Sequence, residues 1–107
     1  MRSGLTMLGE LEQLVLLAVL RIDGGAYAVT IRDEIETRAG IGVLRGSVYV
    51  TLDRLERKGW VSSRMGDPLP ERGGKARRYF RLTAAGRRAL RESRRAYGRM
   101  WEGLETV

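Results

Sequence analysis

Apolar residues recur at helical spacing near the start of the chain. Leu8, Leu11, Val15, Ala18, Val19 and Ile22 return every three or four positions, which predicts a helix over residues 8–22. From Leu14 onward this segment is apolar nearly all round, and a domain this small has too few other elements to cover both sides, so a partner chain is the natural second cover. The paired glycines of DGGA, residues 23–26, break the pattern. Ile31 and Ile35, flanked by Arg32, Asp33, Glu34 and Glu36, predict a second helix over 27–38 that Gly40 and Gly42 close. A third is predicted over 46–58 in RGSVYVTLDRLERKGW, where Val48, Leu52 and Leu55 make one stripe and Lys58 and Gly59 suit a C-terminus. Ser47 stands where it would cap that helix or meet a phosphate. Val50 falls about 200° from the stripe, an apolar side chain on the exposed side.

WVSSRM, residues 60–65, alternates like a strand. RRYFRLT, residues 77–83, predicts a second, with Tyr79, Arg81 and Thr83 on one face and Phe80 and Leu82 on the other. The intervening GDPLPERGGKA is too long for a tight turn and has a basic tip. Thr83 is a good N-cap before AAGRRAL, opening a last helix that extends to about residue 105. Along it Leu90, Tyr97 and Leu104 repeat every seven residues, with Met100 and Trp101 between them. Such a seam has little of its own domain left to bury it and reads as a dimer interface of coiled-coil type, to which Leu11 and Val15 of the first helix are also assigned. Tyr79, Phe80 and Leu82 read as strand packing rather than base-stacking groups.

Three helices, a basic-tipped hairpin and a long helix make a fold that is mainly α with a small β-hairpin (α+β), in winged helix-turn-helix order. Residues 1–83 form the winged body, and 84–107 the dimerisation helix of the same single domain.

The chain of 107 residues contains no cysteine and no histidine, which removes disulfides, thiol chemistry, the usual zinc sites and histidine-based catalysis. A carboxylate pair would have to carry any catalysis, and Asp33, Glu34 and Glu36 are spread over an exposed helix surface, so no enzyme and no cofactor is expected. The net charge is +7 and uneven: residues 1–66 carry nine Lys/Arg against eight Asp/Glu, residues 67–107 eleven against five. A field of this kind favours a polyanion, nucleic acid being the usual one, while the plain alternative is a basic face that keeps the protein soluble. The apolar run LVLLAVL is far below the ~20 residues of a membrane span, and Glu10 and Glu12 interrupt its approach, so a cytoplasmic protein with no membrane segment is expected.

Three segments narrow the reading further. LGELEQLVLLAVLRIDGGAYAVTIRDEIE resembles the opening of the PadR family, GSVYVTLDRLERKGWVSS its recognition helix and first wing strand, and PERGGKARRYFRLTAAGRRAL its wing and the start of its dimerisation helix. Two positions depart from the family's habit: Gly25 and Ala26 stand where histidine and glycine are frequent, and Val50 stands where proline is. The resemblance implies a short-form transcriptional regulator, a homodimeric repressor on a pseudo-palindromic operator, with recognition helices one helical turn of DNA apart, ~34 to 36 Å.

The resemblance further implies that helix 46–58 enters the major groove of double-stranded DNA and that the wing, 68–78, lies along the backbone or in a minor groove. Arg45, Ser47, Tyr49, Val50, Thr51 and Arg54 are then the candidate contacts on the helix, and Arg72, Lys75, Arg77 and Arg78 those on the wing. Val50 becomes a candidate for a thymine methyl, against the plain reading of a tolerated exposed valine. Trp101 and Tyr97 are candidates for holding a small aromatic effector between dimerisation helices, against plain interface core. A nonspecific nucleic-acid-binding or ribosome-associated structural protein is the alternative function.

Overall fold

A computed structural model describes residues 8–67, 73, 76–104 and 106. Helix α1 spans Glu10–Ile22, α2 Ala28–Ala39 and α3 Arg45–Arg57; strands β1, Val61–Met65, and β2, Arg78–Leu82, pair antiparallel; and α4, Ala84–Trp101, follows. The elements are those the periodicity predicts, with ends shifted by at most four residues. The fold is mainly α with a small β-hairpin, a winged helix-turn-helix. Among the described residues no helix is long and apolar enough to cross a membrane.

Local chemistry explains the element ends. The Gly9 N–H donates to Glu12 Oε1 at 3.0 Å, so a glutamate three residues in secures the start of α1. The helix closes on Asp23, a non-glycine residue in the left-handed region at φ 48°. Tyr27 opens α2, its N–H donating to Thr30 Oγ1. Leu44, not Ser47, occupies the N-cap of α3, and no side chain caps it; Ser47 lies within the first turn. Thr83 caps α4 as predicted, accepting from the Gly86 N–H at 3.1 Å while donating to Gly59 O at 2.6 Å. That helix ends at Trp101 rather than near residue 105, because Gly103 takes a left-handed conformation and turns the chain.

The core lies where α1, α2 and α3 meet the hairpin. Val15, Leu16, Ala18 and Val19 of α1 pack against Ile31 and Ile35, against Val48, Leu52 and Leu55, and against Val61, Phe80 and Leu90. Val15 is therefore corrected: it is fully buried in the chain's own core and offers nothing to a partner. Leu90 is corrected in part: it is 9% exposed and docks α4 on that core, with its remaining edge lining the groove between α1 and α4. Ala26, read as part of a plain break, adds a bridge to the sheet, its carbonyl accepting from the Phe80 N–H at 2.8 Å. The first turn of α4 lies so close to the end of α3–β1 that a Cβ on Gly86 would sit 2.1 Å from the Trp60 carbonyl oxygen. Gly86 is thus what lets α4 seat on the wing root.

Candidate nucleic-acid interface

The buried stripe of α3 fixes which side chains it presents. With Val48, Leu52 and Leu55 inward, Arg45, Tyr49, Val50, Asp53, Arg54 and Arg57 face solvent, and Val50 is 55% exposed. Among the described residues Arg45, Arg54 and Arg57 form no ion pair. Ser47 is half-buried and shares a shallow concavity with Leu11, Gly46, Val50, Thr51 and Arg54. Leu11 is therefore corrected as well: it sits beside the recognition helix, away from the Tyr97–Trp101 stretch of α4 with which it was grouped. Thr51 is a further correction. Only 3% exposed, it lies at the floor of that concavity beside Leu11 and offers almost no surface to a groove.

The two flanks of α3 are tied down differently. On the α1 side, Lys58 Nζ donates to Glu12 Oε2 at 2.8 Å and lies 4.8 Å from the centre of the Trp60 ring. Burial raises the pKa of the Glu12 carboxyl, but the Lys58 hydrogen bond, the Gly9 N–H and the charges of Lys58 and Arg54 outweigh it and hold that pKa below its ordinary value. On the wing side, Arg78 Nη1 donates to Asp53 Oδ1 at 3.0 Å and Nη2 donates to Glu56 Oε1. Arg78 Nε also donates to Ser63 Oγ at 3.2 Å, and that hydroxyl donates to Glu56 Oε2 at 2.7 Å. Arg78 is corrected accordingly: its guanidinium is engaged by two carboxylates of α3, not held out for a phosphate.

Arg77 stands at the loop end of the hairpin, its carbonyl accepting from the Gly66 N–H, with its guanidinium 4.4 Å from the centre of the Tyr27 ring. Tyr27 meets Tyr79 edge-on at 5.8 Å, and Arg64 stacks on Tyr79 at 4.9 Å, so Arg77, Tyr27, Tyr79 and Arg64 form a chain of cation–ring and ring–ring contacts from the start of α2 across the hairpin. Arg72 and Lys75, the predicted tip contacts, lie outside the described residues.

Away from α3, a groove of about 600 Å³ runs between α1 and α4. Leu17, Leu20, Tyr97 and Trp101 supply its apolar surface, Arg87, Arg91 and Arg94 its charge. Leu17 and Leu20, about 40% exposed, were not singled out in the sequence; the signal was the all-round apolar character of the first helix after Leu14. Met100, Trp101 and Leu104 are also exposed, Met100 most of all.

A winged helix with a basic reading face narrows the choice of families, and comparison with known proteins decides it. Residues 16–92 match the Transcriptional regulator PadR-like family. The chain belongs to that family.

Among PadR-like relatives, Transcriptional regulator Rv3488 of Mycobacterium tuberculosis is 47% identical over 62 residues, 56% of this chain and 52% of the relative. The chain thus spans about half the length of that curated relative. A PadR family transcriptional regulator from Eggerthella lenta DSM 2243 superposes with a TM-score of 0.69 at 29% identity, over 92% of this chain and 88% of its own. Bacillus subtilis PadR, solved in complex with operator DNA, shares the fold at a TM-score of 0.68 and 16% identity, over 80% of this chain and 47% of its own.

Proposed function

We propose that this PadR-like protein is a sequence-specific, homodimeric DNA-binding repressor. The observation that carries the reading is the solvent face of α3, where Val50, Arg54 and Arg57 are exposed together beside the half-buried Ser47. Arginine forks onto guanine, a hydroxyl and the first-turn N–H groups hold phosphate, and a valine meets a thymine methyl, so one helix face offers both positioning and base contacts. The Bacillus subtilis complex with operator DNA supports the same use of the fold. The corrected contact set is Arg45, Ser47, Tyr49, Val50, Arg54 and Arg57 on α3, with Arg77 at the loop end of the hairpin; Arg72 and Lys75 are kept as proposed contacts on the sequence alone.

A second copy covers the groove between α1 and α4. Leu17 and Leu20 with Tyr97, Met100, Trp101 and Leu104 form the interface, which pairs two reading helices and makes the operator a pseudo-palindrome. Selection of bound duplexes from a random pool tests the function as a whole, because sequence preference appears as a consensus. Enrichment of nothing, or equal binding of RNA and DNA, favours the nonspecific structural alternative instead.

The arginine-rimmed aromatic groove supports one further reading, that a small aromatic compound binds at Trp101 and Tyr97 and modulates DNA affinity. Quenching of Trp101 emission by such a compound, absent in Trp101→Phe, is the expected result; quenching that persists in that variant belongs to Trp60 and contradicts it.

A further inference from the structure

The period of two along β2 puts Arg78 on the same face as Phe80 and Leu82, the face turned toward the interior and α3. Its guanidinium lies 5.0 Å from the centre of the Phe80 ring, and its donors divide among Asp53, Glu56 and Ser63. A planar fork of this kind matches carboxylate geometry in a way a lysine cannot. The charge of Arg78 is therefore engaged by its own chain at the surface, across the join between the wing and α3.

That join has a difficulty the other flank lacks. Asp53 is more than half exposed and Glu56 about one-third, both on the wing-facing side of a helix whose three arginines are otherwise suited to a polyanion. Two uncompensated carboxylates there would repel a phosphate backbone. We propose that Arg78 is a positioning residue of the DNA interface: it touches no DNA, and its single positive charge, shared between Asp53 and Glu56, offsets half of their negative charge so that this flank can approach phosphate. The inference rests on the DNA-binding reading above.

Binding of mixed-sequence duplex DNA by the full chain, measured by fluorescence anisotropy across a salt series, tests it, with thermal melting of each variant as the folding control. Arg78→Gln is expected to weaken binding about tenfold, and Arg78→Lys, which keeps charge but loses the fork, by less. The triple variant R78Q/D53N/E56Q is expected to return to within about threefold of wild type with the wild-type salt slope, since the repelling groups leave with their partner. D53N/E56Q alone, with the guanidinium released, is expected to bind about threefold tighter than wild type or better, and it decides the matter even where Arg78→Gln folds poorly.

A triple variant as weak as Arg78→Gln, with a salt slope reduced by about 0.9, is the mark of a lost phosphate contact and overturns the proposal. So does D53N/E56Q binding no tighter than wild type. Wild-type protein that ignores duplex DNA removes the DNA-binding reading and this inference with it; wild type that binds, without the rescue, removes only this inference.

Discussion

The winged body and the far half of α4 treat their apolar residues in opposite ways. From α1 to the first turns of α4, the large aliphatic side chains on the inward stripes are buried, down to Leu90. Beyond Leu90, Tyr97, Met100, Trp101 and Leu104 are all exposed, and Leu17 and Leu20 across the groove are exposed with them. The same apolar chemistry thus closes one region within a single chain and leaves the other open. The body is a self-sufficient core; the α1–α4 face stays apolar and open, the face assigned above to a second copy in the proposed dimer.

Truncations on the two sides separate the roles. Leu52→Ala, at a fully buried position, is expected to lower stability by about 3 to 4 kcal/mol whatever the protein concentration, read by urea unfolding. Gly86→Ala comes next, where the gain in helix propensity of ~1 kcal/mol is outweighed by a Cβ driven onto the Trp60 carbonyl, for a net loss of about 2 kcal/mol or more. Trp101→Ala removes more side chain than Leu52→Ala, yet it is expected to leave the melting of dilute protein unchanged and to weaken self-association by roughly 2 kcal/mol, about 30-fold in Kd, by sedimentation. Equal losses in dilute and concentrated protein would erase the distinction.

Smaller effects refine the picture of the body. Glu12→Gln breaks the Lys58 link between α1 and the end of α3 and is expected to lose about 1 to 2 kcal/mol. The folded pKa of Glu12 is depressed, so its stabilisation is complete above the unfolded pKa and is lost as pH falls through the folded one. Acid titration of stability should therefore be shallower in the Gln variant, and identical slopes would contradict the assignment. Smallest is Asp23→Gly, which relieves a left-handed non-glycine residue at the end of α1 and is expected to gain about 0.5 to 1 kcal/mol in melting experiments.

The body was the legible part of the sequence. Stripes at helical spacing found every described helix, and strand alternation put Phe80 and Leu82 on one face, the face that carries the buried Phe80, because burial in one chain leaves a periodic trace. Residues whose role depends on a neighbour distant in sequence were harder. Arg78 looked like one more wing cation, although the alternation that turned Phe80 inward also turned Arg78 toward Asp53 and Glu56, 25 and 22 positions back along the chain. Thr51 looked like a groove-facing hydroxyl until the packing of α1 buried it. Val15 and Leu90 were assigned to a partner because an apolar seam reads the same whether its cover comes from its own chain or another. Gly86 had a signal, a glycine in the first turn of a helix, but its cause lay in the Trp60 carbonyl.

The central claim, that the body reads DNA while the open face pairs two copies of it, is tested most directly by selecting bound duplexes from a random pool at a protein concentration that supports the dimer. The account predicts an inverted repeat whose half-site centres lie one helical turn apart, about 10 base pairs, reduced to weak single half-site binding in Trp101→Ala. A single unrepeated site in wild type, or a consensus unchanged in symmetry and strength by Trp101→Ala, would contradict it.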